Sequence, residues 1–253
     1  MVERFDDVVV IRNALLARDN LPAAARQNLV ARLSQTLAGF VVDRSWLEDD
    51  RARRSAREAC EKATVTIAAD NAKSELRPLI RHLRASGQLT AGLVLRALLS
   101  GNMALFEEAL AELGGMPLRR VSALVHDRFG SGLLALFEKA KLPPSMHAAF
   151  TEALKAMRDG FAEDADETRL QRRMVERVLS ACENADAAEV RPLITLLRRF
   201  ATEAAREEAR LFCDELVAED FADEPIARDE RFRAVGGARE VVRRLDWNPS
   251  PDL

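Results

Sequence analysis

Tyrosine is absent from the 253 residues, aromatic rings reach only 5%, and there are three cysteines, three histidines, 11 glycines and 9 prolines. Each shortage excludes something. Grooves for single-stranded nucleic acid combine stacked rings with a basic track. Here rings are few, and 38 basic and 41 acidic side chains, mixed along the chain, leave a net charge of −3. No strongly signed surface follows, and nucleic acid is not expected as a partner. Cys60, Cys182 and Cys213 are far apart, without metal-type spacing, as suits reduced thiols in a cytosolic protein. No apolar run approaches the ~20 residues that span a bilayer. The start, Met1-Val2-Glu3-Arg4-Phe5-Asp6-Asp7, carries acid where a signal peptide needs basic residues. A cytoplasmic chain that does not enter membranes is expected. Glycine-rich nucleotide loops, dinucleotide fingerprints and the Gly-x-Ser-x-Gly elbow are also missing.

What is present favours helix. Ala, Leu, Arg and Glu dominate, and the two best strand candidates, Val8-Val9-Val10-Ile11 and Thr64-Val65-Thr66-Ile67, sit inside helix-compatible segments. Local punctuation divides the middle of the chain. Thr90 can cap a helix that Ser100-Gly101 stops, and Asn102 can cap the next, which Gly114-Gly115 ends. Pro117 fits the first turn of a third helix running to about Arg128, and a fourth covers Leu133 to Lys141. Turns this short make the helices pack antiparallel, as in a solenoid or bundle. Met146, Phe150, Leu154, Met157 and Phe161 then form an apolar stripe at helical period, read as core. Cys60 and Cys182 lie in helix-periodic stretches and read as core too, whereas His147, beside two prolines, reads as a surface residue.

The two halves of the chain resemble each other. Pro22 and Phe40 recur as Pro143 and Phe161 at a constant offset of 121, and Leu29 and Leu33 then fall on Phe150 and Leu154. Ala59-Cys60-Glu61-Lys62-Ala63 matches Ala181-Cys182-Glu183-Asn184-Ala185, and Glu75-Leu76-Arg77-Pro78-Leu79-Ile80 matches Glu189-Val190-Arg191-Pro192-Leu193-Ile194. Three blocks in one order point to a diverged tandem duplication. The expected architecture is all-α, HEAT-like or a helical bundle, with one unit over residues 1–121, a second over 122–245, and a frayed tail over 246–253. Stacked helical units present surfaces to partners and do not of themselves assemble a catalytic pocket. The expected role is therefore a protein-interaction or regulatory scaffold, with no cofactor, and with a homodimer as one form of partner.

The sharpest chemical alternative is His126-Asp127. The dipeptide resembles the motif of HD-type metal-dependent phosphohydrolases, in which adjacent His and Asp join an earlier His and a later Asp around metal. The resemblance implies His82 as the earlier ligand and Asp164, Asp159 or Asp166 as the later one, with a metal-bound water as nucleophile. Against it, such a binuclear site generally needs more than the three histidines present, and His82 falls on Leu196 in the second half. As plain structure, a histidine at a helix end complements the helix dipole. His82, between Arg81 and Arg84, could also accept a phosphoryl group, but no phosphotransfer motif stands beside it.

Gly87-Gln88-Leu89-Thr90, Leu95-Arg96-Ala97-Leu98, Phe106-Glu107-Glu108-Ala109-Leu110, Pro117-Leu118, His126-Asp127-Arg128 and Leu142-Pro143 together resemble a bacterial family of unknown function, DUF2336, over about residues 76–161. The resemblance implies a helical, HEAT-like protein without an assigned activity.

Overall fold

The computed structural model describes residues 18, 21–127, 129–160, 166–183 and 188–223, and among these every regular element is helical. The chain divides into two units, Met1–Glu208 and Ala209–Leu253. In the first, α1 (Ala23–Asp43) and α2 (Asp49–Asp70) form a long hairpin, followed by α3 (Lys73–Ala85), α4 (Ala91–Leu99) and α5 (Met103–Gly114). Two short helices come next, α6 (Leu118–Val125) and α7 (Leu133–Lys139), and then the longer α8 (Pro144–Arg158). Then come α9 (Arg172–Glu183), a 3-10 turn at Ala188–Val190, and α10 (Arg191–Asp223), which runs into the second unit.

The organising element is α4. Its sequence, Ala-Gly-Leu-Val-Leu-Arg-Ala-Leu-Leu, is apolar around its circumference except at Arg96, and a helix of that kind must be surrounded. Leu93 to Leu99 are all buried, and α2, α5 and α8 pack against it. Below it Phe106, Phe137 and Phe150 form a tilted aromatic cluster, with centroids 6.1 Å and 5.3 Å from Phe150 to the other two. Met146, Phe150 and Leu154 line the buried face of α8, as their spacing demands, while Phe161 lies outside the described residues. Val8–Ile11 lies outside them too, and Thr64–Ile67 is helical within α2.

The local stop and start signals work as chemistry. Thr90 and Asn102 each accept a backbone N–H three residues on, from Leu93 and Leu105, both at 3.0 Å. Gly115 ends α5 with φ 58, a left-handed conformation glycine adopts without a side-chain clash. Asn102 is almost fully buried, so Asn102→Ala is expected to cost about 1 kcal/mol of stability, as buried caps do, read by urea denaturation. The expected helix at Pro117 is shorter than the sequence suggests. Pro117 is its N-cap, and the helix stops at Val125, where Arg158 from α8 reaches across to the Val125 carbonyl at 3.2 Å.

The hairpin is anchored at its base and free at its tip. Gln27, Leu29 and Ala31 of α1 and Glu61 to Ala68 of α2 supply the buried positions, whereas between residues 32 and 60 only Ala52 is buried. The start of α10 is fastened by charge as well as by Leu193, Leu197 and Phe200. Arg96 of α4 forms a double hydrogen bond with Glu203 at 2.8 Å, Lys62 meets Glu207 at 3.1 Å, and Arg199 pairs with Glu58. The Arg96 guanidinium also lies 4.6 Å from the centre of the Phe200 ring. In the second unit Leu211, Phe212, Leu216 and Val217 are exposed.

Two residues differ from the sequence reading. His147 is buried, its Nε2 3.1 Å from the Leu142 carbonyl and its ring 5.6 Å from Phe137, because the helix that begins at Pro144 turns it inward. Cys182 is core, its thiol pushed up in pKa by burial and then by the Glu152 charge, but Cys60 is only half-buried.

Candidate functional site

The residues singled out for metal chemistry are held in separate structural duties. His126 closes α6, is exposed, and its Nε2 lies 2.8 Å from the Glu107 carboxylate on α5. Asp127 accepts the Phe129 backbone N–H at 3.2 Å and the Ser131 hydroxyl at 3.3 Å, folding the turn toward α7. His82 sits on α3, half-buried, with Nε2 buried and unpartnered, so it does not offer that nitrogen to solvent for phosphotransfer. Asp159 is taken by Arg177 at 2.7 Å, and Asp166 by the backbone N–H and hydroxyl of Thr168. Asp164 lies outside the described residues. Among the described residues no three His, Cys, Asp or Glu side chains come together as a metal-binding group, and this weighs against the phosphohydrolase alternative.

A different place has the shape of a site. A groove of about 520 Å³ opens between α1, α2 and the turn joining α3 to α4. At its deep end Gln27 is fully buried. Its Nε2 donates to Gln88 Oε1 at 3.0 Å, and its Oε1 has no partner. Beside it Glu61, 8% exposed, accepts the Thr90 hydroxyl at 2.9 Å. The carboxylate lies over the first turn of α4, where a side chain on Gly92 would come within 3.5 Å of it. The positive end of the helix dipole favours an anion there. At the mouth Arg53 is bound to Asp49 by two contacts of 2.8 Å. Arg57 stands one turn before Glu61 on α2, near enough to act on its charge, yet no ion pair joins the two.

Burial pushes the Glu61 carboxyl above its ordinary value of 4.5; the Thr90 hydrogen bond and the Arg96 and Arg57 charges only partly oppose this. A carboxyl that holds its proton more tightly when folded favours the native state below its ordinary pKa and loses that contribution as pH rises through the folded value. Glu61→Gln keeps the shape and removes the titration. The expected result is that wild type loses stability relative to Glu61→Gln as pH is raised from about 4 to about 8, measured by denaturation at each pH. A difference independent of pH would contradict the assignment.

Sequence reasoning missed this groove, although a signal was available. Glu61 belongs to the stripe Glu61, Thr64, Val65, Ala68, and Gln27 to Ala23, Gln27, Ala31. Each places polar side chains, Glu61 with Thr64 in one and Gln27 in the other, on an otherwise inward face, a pattern that marks buried polar groups in need of partners.

A second feature lies at the hairpin tip. The Phe40 and Trp46 rings meet edge to face at 5.8 Å, and the Arg44 guanidinium lies 5.0 Å from the Phe40 ring centre. With Leu37 they form an exposed cluster, Trp46 at 66%. No helix among the described residues is long and apolar enough to cross a membrane. No curated protein and no solved structure matches the chain. The family model for an uncharacterised protein conserved in bacteria, DUF2336, matches residues 1–188, a wider span than the motifs alone carry, and the chain belongs to that family.

Proposed function

We infer that this protein is a non-catalytic helical module that docks another protein through the tip of its α1–α2 hairpin. The observation that carries the reading is the exposed cluster of Leu37, Phe40, Arg44 and Trp46. Aromatic rings and arginine are the residues that dominate binding energy at protein interfaces, and a hairpin anchored only at its base presents them clear of the core.

Two units of HEAT-like character, over 1–121 and 122–245, are part of this proposal. Pro22 and Pro143 each precede a helix that packs against the next, α1 on α2 and α8 on α9. Leu79 and Leu83 of α3 and their counterparts Leu193 and Leu197 of α10 are buried at matching positions, which supports descent from one repeated unit. A second copy of the chain is the first partner to test, since Leu211, Phe212, Leu216 and Val217 add another exposed apolar stretch.

The test is the size of the protein in a native bacterial extract. The wild-type chain is expected well above its 28.1 kDa monomer mass, and the Phe40→Ala/Trp46→Ala variant at that mass with an unchanged melting temperature. A wild-type chain that runs as a monomer would sink the reading.

A further inference from the structure

We propose that the groove between α1 and α2 binds a small zwitterion of the α-amino acid class, its ammonium held by Glu61 and the Gln27 side-chain amide and its carboxylate by Arg57. The inference goes beyond the docking role and does not depend on it.

The volume comes first. About 520 Å³ lies in the range of roughly 300 to 1,000 Å³ typical of small-molecule sites. The polarity of the deep end comes second. A buried amide atom without a partner is costly, by about 1–3 kcal/mol, and Gln27 holds one at the groove floor. Whichever way the Gln27 and Gln88 amides are turned, their mutual hydrogen bond leaves one Gln27 atom unmet. With a cation beside Glu61, the amide oxygen is the atom favoured there. Glu61 receives the neutral Thr90 hydroxyl on one oxygen, and a ligand ammonium supplies both the opposite charge and further donors for Glu61 and Gln27.

Charge at the mouth fixes the other half of the ligand. Arg53 is paired with Asp49, whereas Glu61 and Arg57, although Arg57 acts on the Glu61 charge, are joined by no ion pair and so leave one acidic and one basic group in the groove. They stand four residues apart on one face of α2, about 6 Å along the helix axis. A simple amine would leave Arg57 unanswered, and a simple acid would leave Glu61 unanswered. A molecule with adjacent ammonium and carboxylate answers both. Ala31, Ala38, Ala56 and Leu93 on the walls leave room for a side chain of modest size.

The experiment is calorimetric titration of the full chain with each proteinogenic L-amino acid, alongside putrescine as an ammonium-only probe and succinate as a carboxylate-only probe. At least one amino acid is expected to bind at a single site at millimolar concentration or below, and neither control is expected to bind. Arg57→Ala, at an exposed position, and the isosteric Glu61→Gln should each weaken binding by about tenfold or more, roughly the loss of one charged contact, while the melting temperatures of both variants show that they fold. Absence of binding by every amino acid would overturn the proposal. So would equal binding of putrescine or succinate, or amino-acid binding that survives both substitutions.

Discussion

Phe150→Ala is expected to lower the unfolding free energy by about 4 kcal/mol, near the upper end for a large-to-small change in a packed core. Phe150 is fully buried, touches both other rings of the aromatic cluster, and lies on α8, which packs against α4, α7 and α9. Its removal opens a cavity between three helix pairs at once, and rigid helices cannot all move in to fill it. Urea denaturation should show a lower midpoint with the same slope. A loss below about 1.5 kcal/mol would mean that the cluster repacks freely, contrary to the packing described.

Glu203→Ala is expected to cost about 3 kcal/mol, because it strands a buried guanidinium. Arg96 is 2% exposed in the middle of an apolar helix, and its Nε already lacks a partner. Glu203 satisfies the other two nitrogens, and the Phe200 face covers the cation. Glu203 itself is partly solvated, which keeps the cost at the lower end for a broken buried pair. Replacing both partners, as Arg96→Met with Glu203→Leu, should recover most of the loss, since a shape-matched apolar pair avoids desolvating two charges. A double variant as unstable as Glu203→Ala alone would show that the pair contributes more than charge compensation.

Helix boundaries in the middle of the chain were legible because their causes are local. The Thr90 and Asn102 caps and the left-handed Gly115 act within three or four residues. The Arg96–Glu203 pair spans 107 residues, and nothing near Arg96 in sequence announces its partner. His147 illustrates the converse, since a histidine just after two prolines at a helix start reads as a surface residue, whereas α8 starting at Pro144 turns the imidazole inward. His126-Asp127 drew attention by its resemblance to a metal motif, but the dipeptide is explained by the turn it builds, with Glu107, the Phe129 N–H and Ser131 as partners. The groove was hidden for another reason: Gln and Glu are usually surface residues, and only the burial of their helix faces reveals them as site-forming.

The central claim, that the chain works by docking through the α1–α2 tip, is tested most directly by photo-cross-linking in living bacteria from a benzophenone side chain placed at position 46, with position 126 as a second exposed probe. A discrete adduct from position 46 that disappears with Phe40→Ala, and none from position 126, is the predicted result. Adducts from position 126 alone, or none from position 46, would contradict it.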